Sequence, residues 1–357
     1  ERRLRLIHVL ENICPEHNDE ICRTKSLAID ARLFYNCITI IFYLFSEADF
    51  LPFSILNLLL HKERRRMTYY QFIRAVEGKV KEGVKDNVSV YIHTTVKNNG
   101  TKREGLTIAE RGINISPTIY LEEYYQQFQQ GDSVDAIAGD ILKLYSEVRF
   151  QRSWEGEFIK DYNKVKGKII YHLINREANE ELLENVPYED YLDLAIVFYV
   201  LLEINTYGMA SMMIRNEHLE MWDVTSSEIY HRACQNTWRL LPSELQTMQS
   251  VIEHLTGNLD EEVKDFMFVL SNQAHNYGAT VILYDNCLQM IGNYLKENYY
   301  VLPSSVHEVI IIPESESISQ GELSRLVKEI NETQVAEDEI LSNQAYYFDR
   351  KKKKLIL

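Results

Sequence analysis

The chain lacks the short motifs that mark the commonest nucleotide-binding and acyl-transfer sites. Its 357 residues contain no G-x-x-x-x-G-K-[ST], no G-x-G-x-x-G and no G-x-S-x-G sequence. The first two motifs let backbone N–H groups approach phosphates, and the third exposes a nucleophilic serine on a sharp turn. Their absence argues against a P-loop or Rossmann nucleotide site and against an α/β-hydrolase.

Cysteine is scarce, and its spacing excludes the usual zinc and redox motifs. No two of the five cysteines form a C-x-x-C pair, so we expect free, reduced and mostly buried thiols in a cytoplasmic protein. The pair His307-Glu308 lacks the second histidine of H-E-x-x-H and lies in a strand-like run, where residues four apart do not converge on a metal. We therefore expect no metal and no other cofactor.

Positive charge is in short supply after the first 66 residues. Residues 1–66 carry 10 Lys and Arg against 9 Asp and Glu, whereas residues 67–357 carry 28 against 44. A body this acidic repels phosphate backbones, so nucleic acid is not an expected partner. The basic run RKKKK at residues 350–354 is interpreted as a solvated edge that blocks strand pairing.

Long apolar runs are also missing. Residues 33–60 contain two such runs, but the sequence SEAD separates them. Each run is shorter than the roughly 20 residues that a membrane helix needs, so no membrane partner is expected. They also do not follow the order of a secretory signal peptide.

The sequence KERRRM before and at Met67 suggests a boundary. Purine-rich codons for these residues resemble a ribosome-binding site read in frame, and charge and cysteine content change at the same place. This pattern favours Met67 as the natural start, with residues 1–66 as a helical or disordered translation of upstream DNA. The alternative is a genuine N-terminal helical extension.

The body after Met67 has the periodicity of an α+β protein with a mainly antiparallel sheet, divided into subdomains at residues 67–166 and 167–357. Thr68 is a candidate cap for the first helix, and Asn99-Gly100 predicts a tight hairpin between two strands. We expect helices over residues 118–130 and 132–152. The strand–helix alternation that follows is too irregular for a doubly wound parallel fold.

The second half of the chain contains further strand and helix signals. The segments GKIIYHLIN, YLDLAIVFYVLLE, MASMMIRNE, VKDFMFVLSN and GATVILYD predict strands, and YYVLPSSVHEVIIIP predicts an extended segment. Thr225 and Glu228 resemble a capping box that begins a helix. Pro242 is predicted to end that helix and to open another. Asn236 and Thr237 lie in the middle of the capped helix, where they are unfavourable unless their side chains have partners.

Two polar turns supply candidate binding residues. Asn216 and His218 precede Trp222 near a strand-to-helix turn, and Asn272 and His275 follow a predicted strand in a polar loop. Binding groups are often found in such turns. Each turn also has a purely structural explanation, since these side chains can satisfy backbone groups of the turn.

The segment LPSSVHEVIIIP supplies the third candidate group: Ser304, Ser305, His307 and Glu308. In a strand, His307 would share a face with Ser305, and Glu308 with Ser304, because side chains alternate. A buried apolar segment requires partners for its polar groups. His307 and Glu308 are therefore either structural hydrogen-bond anchors or part of a pocket.

Several segments also carry a family resemblance. The sequences DLAIVFYVLLE, MMIRNEHLEMWDVTSSEIYHRACQNT and YYVLPSSVHEVIIIP resemble an uncharacterised bacterial family, found mainly in gut Clostridia and termed domain of unknown function 5688. The resemblance covers residues 67–357 and implies no particular activity. We expect a cytoplasmic interaction or regulatory module with an unknown protein partner or small ligand. The alternatives are a hydrolase-like enzyme that uses His307 and Glu308, with His218 or His275, and a sensor for a small ligand.

Overall fold

The computed structural model describes residues 67–84, 87–112, 116–149, 156–205, 208–256, 267–316 and 318–357. The predictions made for residues 1–66 lie outside the described residues. The chain divides between Ile159 and Lys160 into two compact units. Residues 67–159 are termed the N-terminal unit and residues 160–357 the C-terminal unit.

The N-terminal unit packs helices against a three-stranded antiparallel sheet with the order β1-β2-β3. Its elements are α1 (Tyr69–Gly83), β1 (Val88–Val96), β2 (Lys102–Glu110), β3 (Thr118–Tyr120), α2 (Glu122–Gln130) and α3 (Val134–Val148), followed by the short α4 (Gly156–Lys160) at the division.

Local signals in the N-terminal unit act as predicted. Thr68 caps α1 in a reciprocal capping box with Gln71. Asn99 and Gly100 both have positive φ, 58° and 68°, in the connection between β1 and β2. The helix predicted from residue 118 begins later, at Glu122, because Thr118–Tyr120 pairs with β2 instead.

The C-terminal unit contains the remaining elements. They are α5 (Tyr162–Val165), β4 (Ile169–Asn175), α6 (Glu180–Leu183), β5 (Tyr188–Tyr191), β6 (Leu194–Asn205), β7 (Gly208–Met213), α7 (Asn216–Trp222), α8 (Ser226–Leu240), β8 (Ser243–Thr247), α9 (Met248–Thr256), β9 (Phe268–Asn272), α10 (Cys287–Leu295), β10 (Tyr299–Pro303), β11 (Val309–Pro313), α11 (Gln320–Thr333), β12 (Tyr346–Asp349) and β13 (Lys354–Ile356).

Two antiparallel sheets form the framework of the C-terminal unit, which confirms the α+β class. In the first, β6 pairs with β4 along one edge and with β5 and then β7 along the other. The second has the order β13-β12-β10-β11-β9-β8. Its core includes Leu302, Ile310 and Ile312 from the strands, packed with Leu323 and Val327 of α11.

The free edge of β4 is held by polar side chains. Thr237 of α8 accepts a hydrogen bond from Tyr171 N at 3.2 Å, and Thr280 accepts one from Leu173 N at 3.2 Å. Asn236 donates to the carbonyl oxygen of Ile169 at 3.0 Å. The mid-helix Asn236 and Thr237 therefore have buried partners, and they fix the position of β4.

Three predictions for the C-terminal unit were wrong. Pro242 is followed by strand β8 rather than by a helix, because residues 243–247 pair with β9. The segment GATVILYD forms a 3₁₀ helix, Gly278–Leu283, and not a strand. The segment containing Ser304 and Glu308 is not one continuous strand. It folds back into the hairpin β10–β11, and residues 304–308 form its loop.

No helix within the described part of the chain is long and apolar enough to cross a membrane.

Candidate functional site

The candidate site lies where two connections of the six-stranded sheet meet. The first connection, residues 273–277, follows β9 and is termed the β9 turn. The second, residues 304–308, joins β10 to β11 and is termed the hairpin loop. Ser271 Oγ donates a hydrogen bond to the carbonyl oxygen of His307 at 2.8 Å, and the backbone N–H of Tyr277 donates to His307 Nδ1 at 3.2 Å. Pairing of β9 with β11 brings the two connections together.

Asn272 shapes the β9 turn. Its side-chain oxygen accepts a hydrogen bond from Ala274 N at 3.0 Å, and its side-chain nitrogen donates to the carbonyl oxygen of Asn276 at 2.9 Å. His275 and Tyr277 both have positive φ, 46° and 50°, which is an uncommon conformation for residues with large side chains. The turn is therefore strained at two positions, and such strain is concentrated at functional sites.

Gly278 lets the β9 turn approach the hairpin loop. A Cβ at this position would overlap Ser271 Oγ and the carbonyl oxygen of His307, and it would lie 2.7 Å from Asn272 N. Since two of these three atoms belong to the backbone, a side chain at residue 278 would force the two connections apart.

Within the hairpin loop, Ser305 organises the polar groups. Ser305 Oγ accepts a hydrogen bond from His307 N at 3.0 Å and donates one to Glu308 Oε1 at 2.9 Å. Burial is the main cause that raises the pKa of Glu308 to about 7. The charge of Glu339 acts in the same direction, and the hydroxyls of Ser305 and Ser304 act against it. Glu308 is therefore a buried carboxyl that titrates close to neutral pH.

His307 connects the β9 turn to a more exposed segment. Because His307 Nδ1 accepts the hydrogen bond from Tyr277, the proton of the neutral ring lies on Nε2. That atom is 3.9 Å from Glu339 Oε1. The backbone N–H of Val306 also donates to the carbonyl oxygen of Glu339 at 2.8 Å. The hairpin loop is thus tied to the 3₁₀ helix Glu337–Glu339.

His172 of β4 is the most unusual residue of the site. It is completely buried, and neither ring nitrogen has a hydrogen-bond partner among the described residues. Its ring stacks on those of Tyr199 and Tyr277, with centroid distances of 4.4 and 4.1 Å and interplanar angles of 29° and 9°, and the two tyrosine rings are themselves 6.4 Å apart. Burial, together with the smaller effect of the nearby His307, lowers the pKa of His172 to about 3. The ring is therefore neutral at ordinary pH.

The aromatic contacts continue from His172 towards the hairpin loop. The rings of Tyr277 and His307 are 5.7 Å apart. Burial, followed by the influence of Tyr277, raises the pKa of Tyr199 well above its usual value, so its hydroxyl keeps its proton. We term His172, Tyr199, Tyr277 and His307 the His172 centre.

The serines near His307 are not arranged as catalytic nucleophiles. The hydroxyl of Ser271 donates to a backbone carbonyl, and that of Ser305 donates to Glu308. Ser304 Oγ is buried, and its hydroxyl acts on the carboxyl of Glu308, whose charged form it favours. A hydrolytic serine requires a base within hydrogen-bond reach, whereas the hydroxyls of Ser271 and Ser305 donate to oxygen atoms.

The structure brings together only some of the predicted candidates. Ser304, Ser305, His307 and Glu308 share the hairpin loop, and Asn272 shapes the turn beside it. His275 belongs to the β9 turn, but its Nε2 lies 3.3 Å from Glu244 Oε2, where both side chains are about a third exposed.

Asn216 and His218 have structural roles elsewhere. His218 Nδ1 accepts a hydrogen bond from Arg215 N at 2.9 Å, and the ring stacks on Trp222. The side chain of Asn216 donates to the carbonyl oxygen of Glu184 at 3.3 Å. These contacts secure the start of α7, and no contact among the described residues links either side chain to the His172 centre.

The sequence did not indicate His172, Tyr199 or Tyr277. His172 is one polar residue in the apolar strand IIYHLIN, which is also the pattern of a histidine satisfied within a core. Tyr199 lies in the apolar β6 and Tyr277 in a turn. The available signal was a polar ring at an inward-facing strand position, and it identifies no partner.

Among the described residues, no group of three or more His, Cys, Asp and Glu side chains could hold a metal ion.

Comparison with known proteins identifies the family. A model described as a family of unknown function, DUF5688, matches residues 69–350, which is most of the chain. The chain therefore belongs to this family, as its sequence resemblance indicated. Neither the curated proteins nor the solved structures contain a match.

Proposed function

We propose that this member of the family is a cytoplasmic, bacterial regulatory module that binds a small molecule at the His172 centre and uses neither a metal nor a nucleotide. The observation that carries the proposal is the fully buried His172 ring, whose two nitrogens have no partner among the described residues. Buried polar groups are almost always satisfied, by protein, by water or by a ligand. A ligand would supply the missing hydrogen bonds.

The energetic cost of leaving the two His172 nitrogens without protein partners supports this proposal. Leaving a buried donor or acceptor unsatisfied costs about 1–3 kcal/mol. His172 leaves one of each, since a neutral imidazole has one N–H and one bare nitrogen. A phenyl ring could contact Tyr199 and Tyr277 in the same way without this cost. The presence of histidine is therefore better explained by binding than by stability.

The geometry favours binding over hydrolysis. A hydrolase-like mechanism would require His307 to activate a hydroxyl, but its Nδ1 accepts a backbone N–H and its Nε2 faces Glu339. Glu308 is buried and bonded to Ser305, so it has no free access to a substrate. The polar groups of the hairpin loop bond to one another and to the β9 turn, which supports a structural role for them.

The contacts around Tyr277 provide a route by which binding would be communicated. Tyr277 covers one face of His172, and its backbone N–H is bonded to His307. A ligand that moves Tyr277 would therefore move the hairpin loop. The loop is in turn bonded to Glu339 through Val306 N, so the change would reach the 3₁₀ helix Glu337–Glu339, which is at least partly exposed.

The test is retention of a small molecule by the native protein. Wild-type protein and His172→Phe are purified from the same native cells under non-denaturing conditions, and bound metabolites are identified by mass spectrometry. We expect a compound close to one per chain in the wild type and its loss from His172→Phe. His218→Phe is the matched control, since His218 also stacks on an aromatic ring but lies outside the His172 centre. Absence of any compound, or equal retention by both variants, would refute the proposal.

A further inference from the structure

We infer that the His172 centre selects an uncharged molecule that presents one hydrogen-bond donor and one acceptor to the edge of the His172 ring, as a primary amide or an alcohol does. The inference rests on the proposed function and names the chemical class of its ligand. Three properties of the centre lead to it: the covered faces of the ring, the hydrogen-bonding capacity of its edge, and the lack of charged groups acting on it.

Two tyrosine rings cover much of the His172 ring. Tyr277 lies nearly parallel to one face, and Tyr199 is stacked on the ring as well. Because the ring is also completely buried, these contacts leave little room for a planar ligand to stack on it. The remaining way to contact His172 is through its edge, where the two nitrogens lie in the plane of the ring and point in different directions.

The edge requires both kinds of hydrogen-bonding group. A neutral imidazole donates from one nitrogen and accepts at the other. Because the ring is completely buried, its neutral form is the stable one, which the low pKa of His172 also indicates. A matching ligand must accept a hydrogen bond at one nitrogen and donate one at the other. A group that only accepts, such as a carboxylate, leaves the bare nitrogen unsatisfied.

The electrostatic surroundings disfavour ions. Among the described groups, His307 is the one whose charge acts on the pKa of His172. The carboxylate of Glu339 lies beside His307 Nε2, and Glu308 is bonded to Ser305. An ammonium or a carboxylate at the His172 edge would therefore be buried without a counter-charge. That cost exceeds what one or two hydrogen bonds return.

The test uses three probes of similar size: acetamide, acetate and methylammonium. The protein is labelled with ¹⁵N-histidine, and the ring nitrogens of His172 are followed by NMR as each probe is added to the full chain. Their signals are assigned by their loss in His172→Phe, or in His172→Leu if the first variant does not fold. The nitrogens of His218 serve as an internal control for unspecific effects.

We expect acetamide to shift both His172 nitrogens in a saturable manner and to leave His218 unchanged. Acetate and methylammonium should bind at least about tenfold more weakly, a difference of about 1.4 kcal/mol. Stronger binding of either ion would overturn the inference. So would a lack of any response to acetamide, or a crystal structure at saturating acetamide with only ordered water at both nitrogens. The proposed function would survive these results if the native protein retains a compound that His172→Phe loses, so the two failures can be distinguished.

Discussion

Replacement of Glu308 by glutamine should change how the stability of the protein depends on pH. The side chain is 3% exposed and accepts a hydrogen bond from Ser305. Glutamine has the same shape and keeps an oxygen that can accept this bond, but it cannot ionise. Glu308→Gln therefore removes the titration while leaving the packing and the main contact in place.

The magnitude follows from the displaced pKa of Glu308. Its value is raised from 4.5 to about 7, so the folded protein holds the proton more tightly than the unfolded chain. Between these two values the protein takes up a proton on folding, and the free energy of unfolding falls as the pH rises. Each pH unit corresponds to 1.36 kcal/mol, so the loss between pH 4.5 and pH 7 is roughly 3 kcal/mol.

The assay compares urea unfolding of the wild type and Glu308→Gln at pH 5 and pH 8. At pH 5 most of the wild-type carboxyl is protonated in the folded state, so its ionisation contributes little to the difference in the free energy of unfolding between the two proteins. Between pH 5 and pH 8, the free energy of unfolding of the variant should increase by about 2–3 kcal/mol relative to that of the wild type. Glu332→Gln on the exposed surface of α11 is the control and should give the same small difference at both pH values.

A difference between wild type and Glu308→Gln that is the same at pH 5 and pH 8 would refute the reasoning. It would mean that the carboxyl has the same proton affinity in the folded and unfolded chains. A ¹³C NMR titration of the Glu308 carboxyl provides an independent measurement, and its midpoint should lie near pH 7.

Three further variants test other parts of the structure. His172→Phe should be at least as stable as the wild type at pH 7. Because the pKa of His172 is lowered from 6.5 to about 3, the wild type loses stability below pH 6.5, and at pH 4 the variant should be more stable than the wild type by roughly 3 kcal/mol more than at pH 7. Unfolding curves with no pH-dependent difference would contradict this. Gly278→Ala should lower the free energy of unfolding, measured by urea denaturation, by about 2–3 kcal/mol. Gly321→Ala is the control and should not lower it, because the space around residue 321 is open. Equal effects of the two changes would argue against the close approach at Gly278. Thr237→Val should lower the free energy of unfolding by about 1–3 kcal/mol, because it leaves Tyr171 N without its partner. Thr333→Val, at an exposed position, is the control. If Thr237→Val is as stable as this control, Thr237 does not have that role.

Much of the secondary structure could be predicted because its signals are local. The capping residues Thr68 and Thr225 act on N–H groups three residues ahead, and Asn99-Gly100 needs only its own positive φ values. The same reasoning failed at Pro242. Proline can precede a helix or a strand, and the pairing of residues 243–247 with the distant β9 decides between them.

The candidate site could be predicted only in part. The polar residues of LPSSVHEVIIIP are uncommon in an apolar segment, so Ser305, His307 and Glu308 could be identified as significant. The pattern of apolar residues predicts one long strand there, whereas the segment folds into a hairpin with these residues in its loop. The alternation of faces that applies to a strand does not apply to a loop.

The sequence by itself determined the elements whose causes lie within a few residues: the capped helices, the Asn-Gly hairpin, the apolar strands and hence the α+β class. The tertiary structure alone decided the His172 centre. His172 and Tyr199 are neighbours because β4 pairs with β6, whereas Tyr277 and His307 arrive from 105 and 135 residues away along the chain. Burial of a histidine without partners depends on all of these segments at once, and no local pattern encodes it.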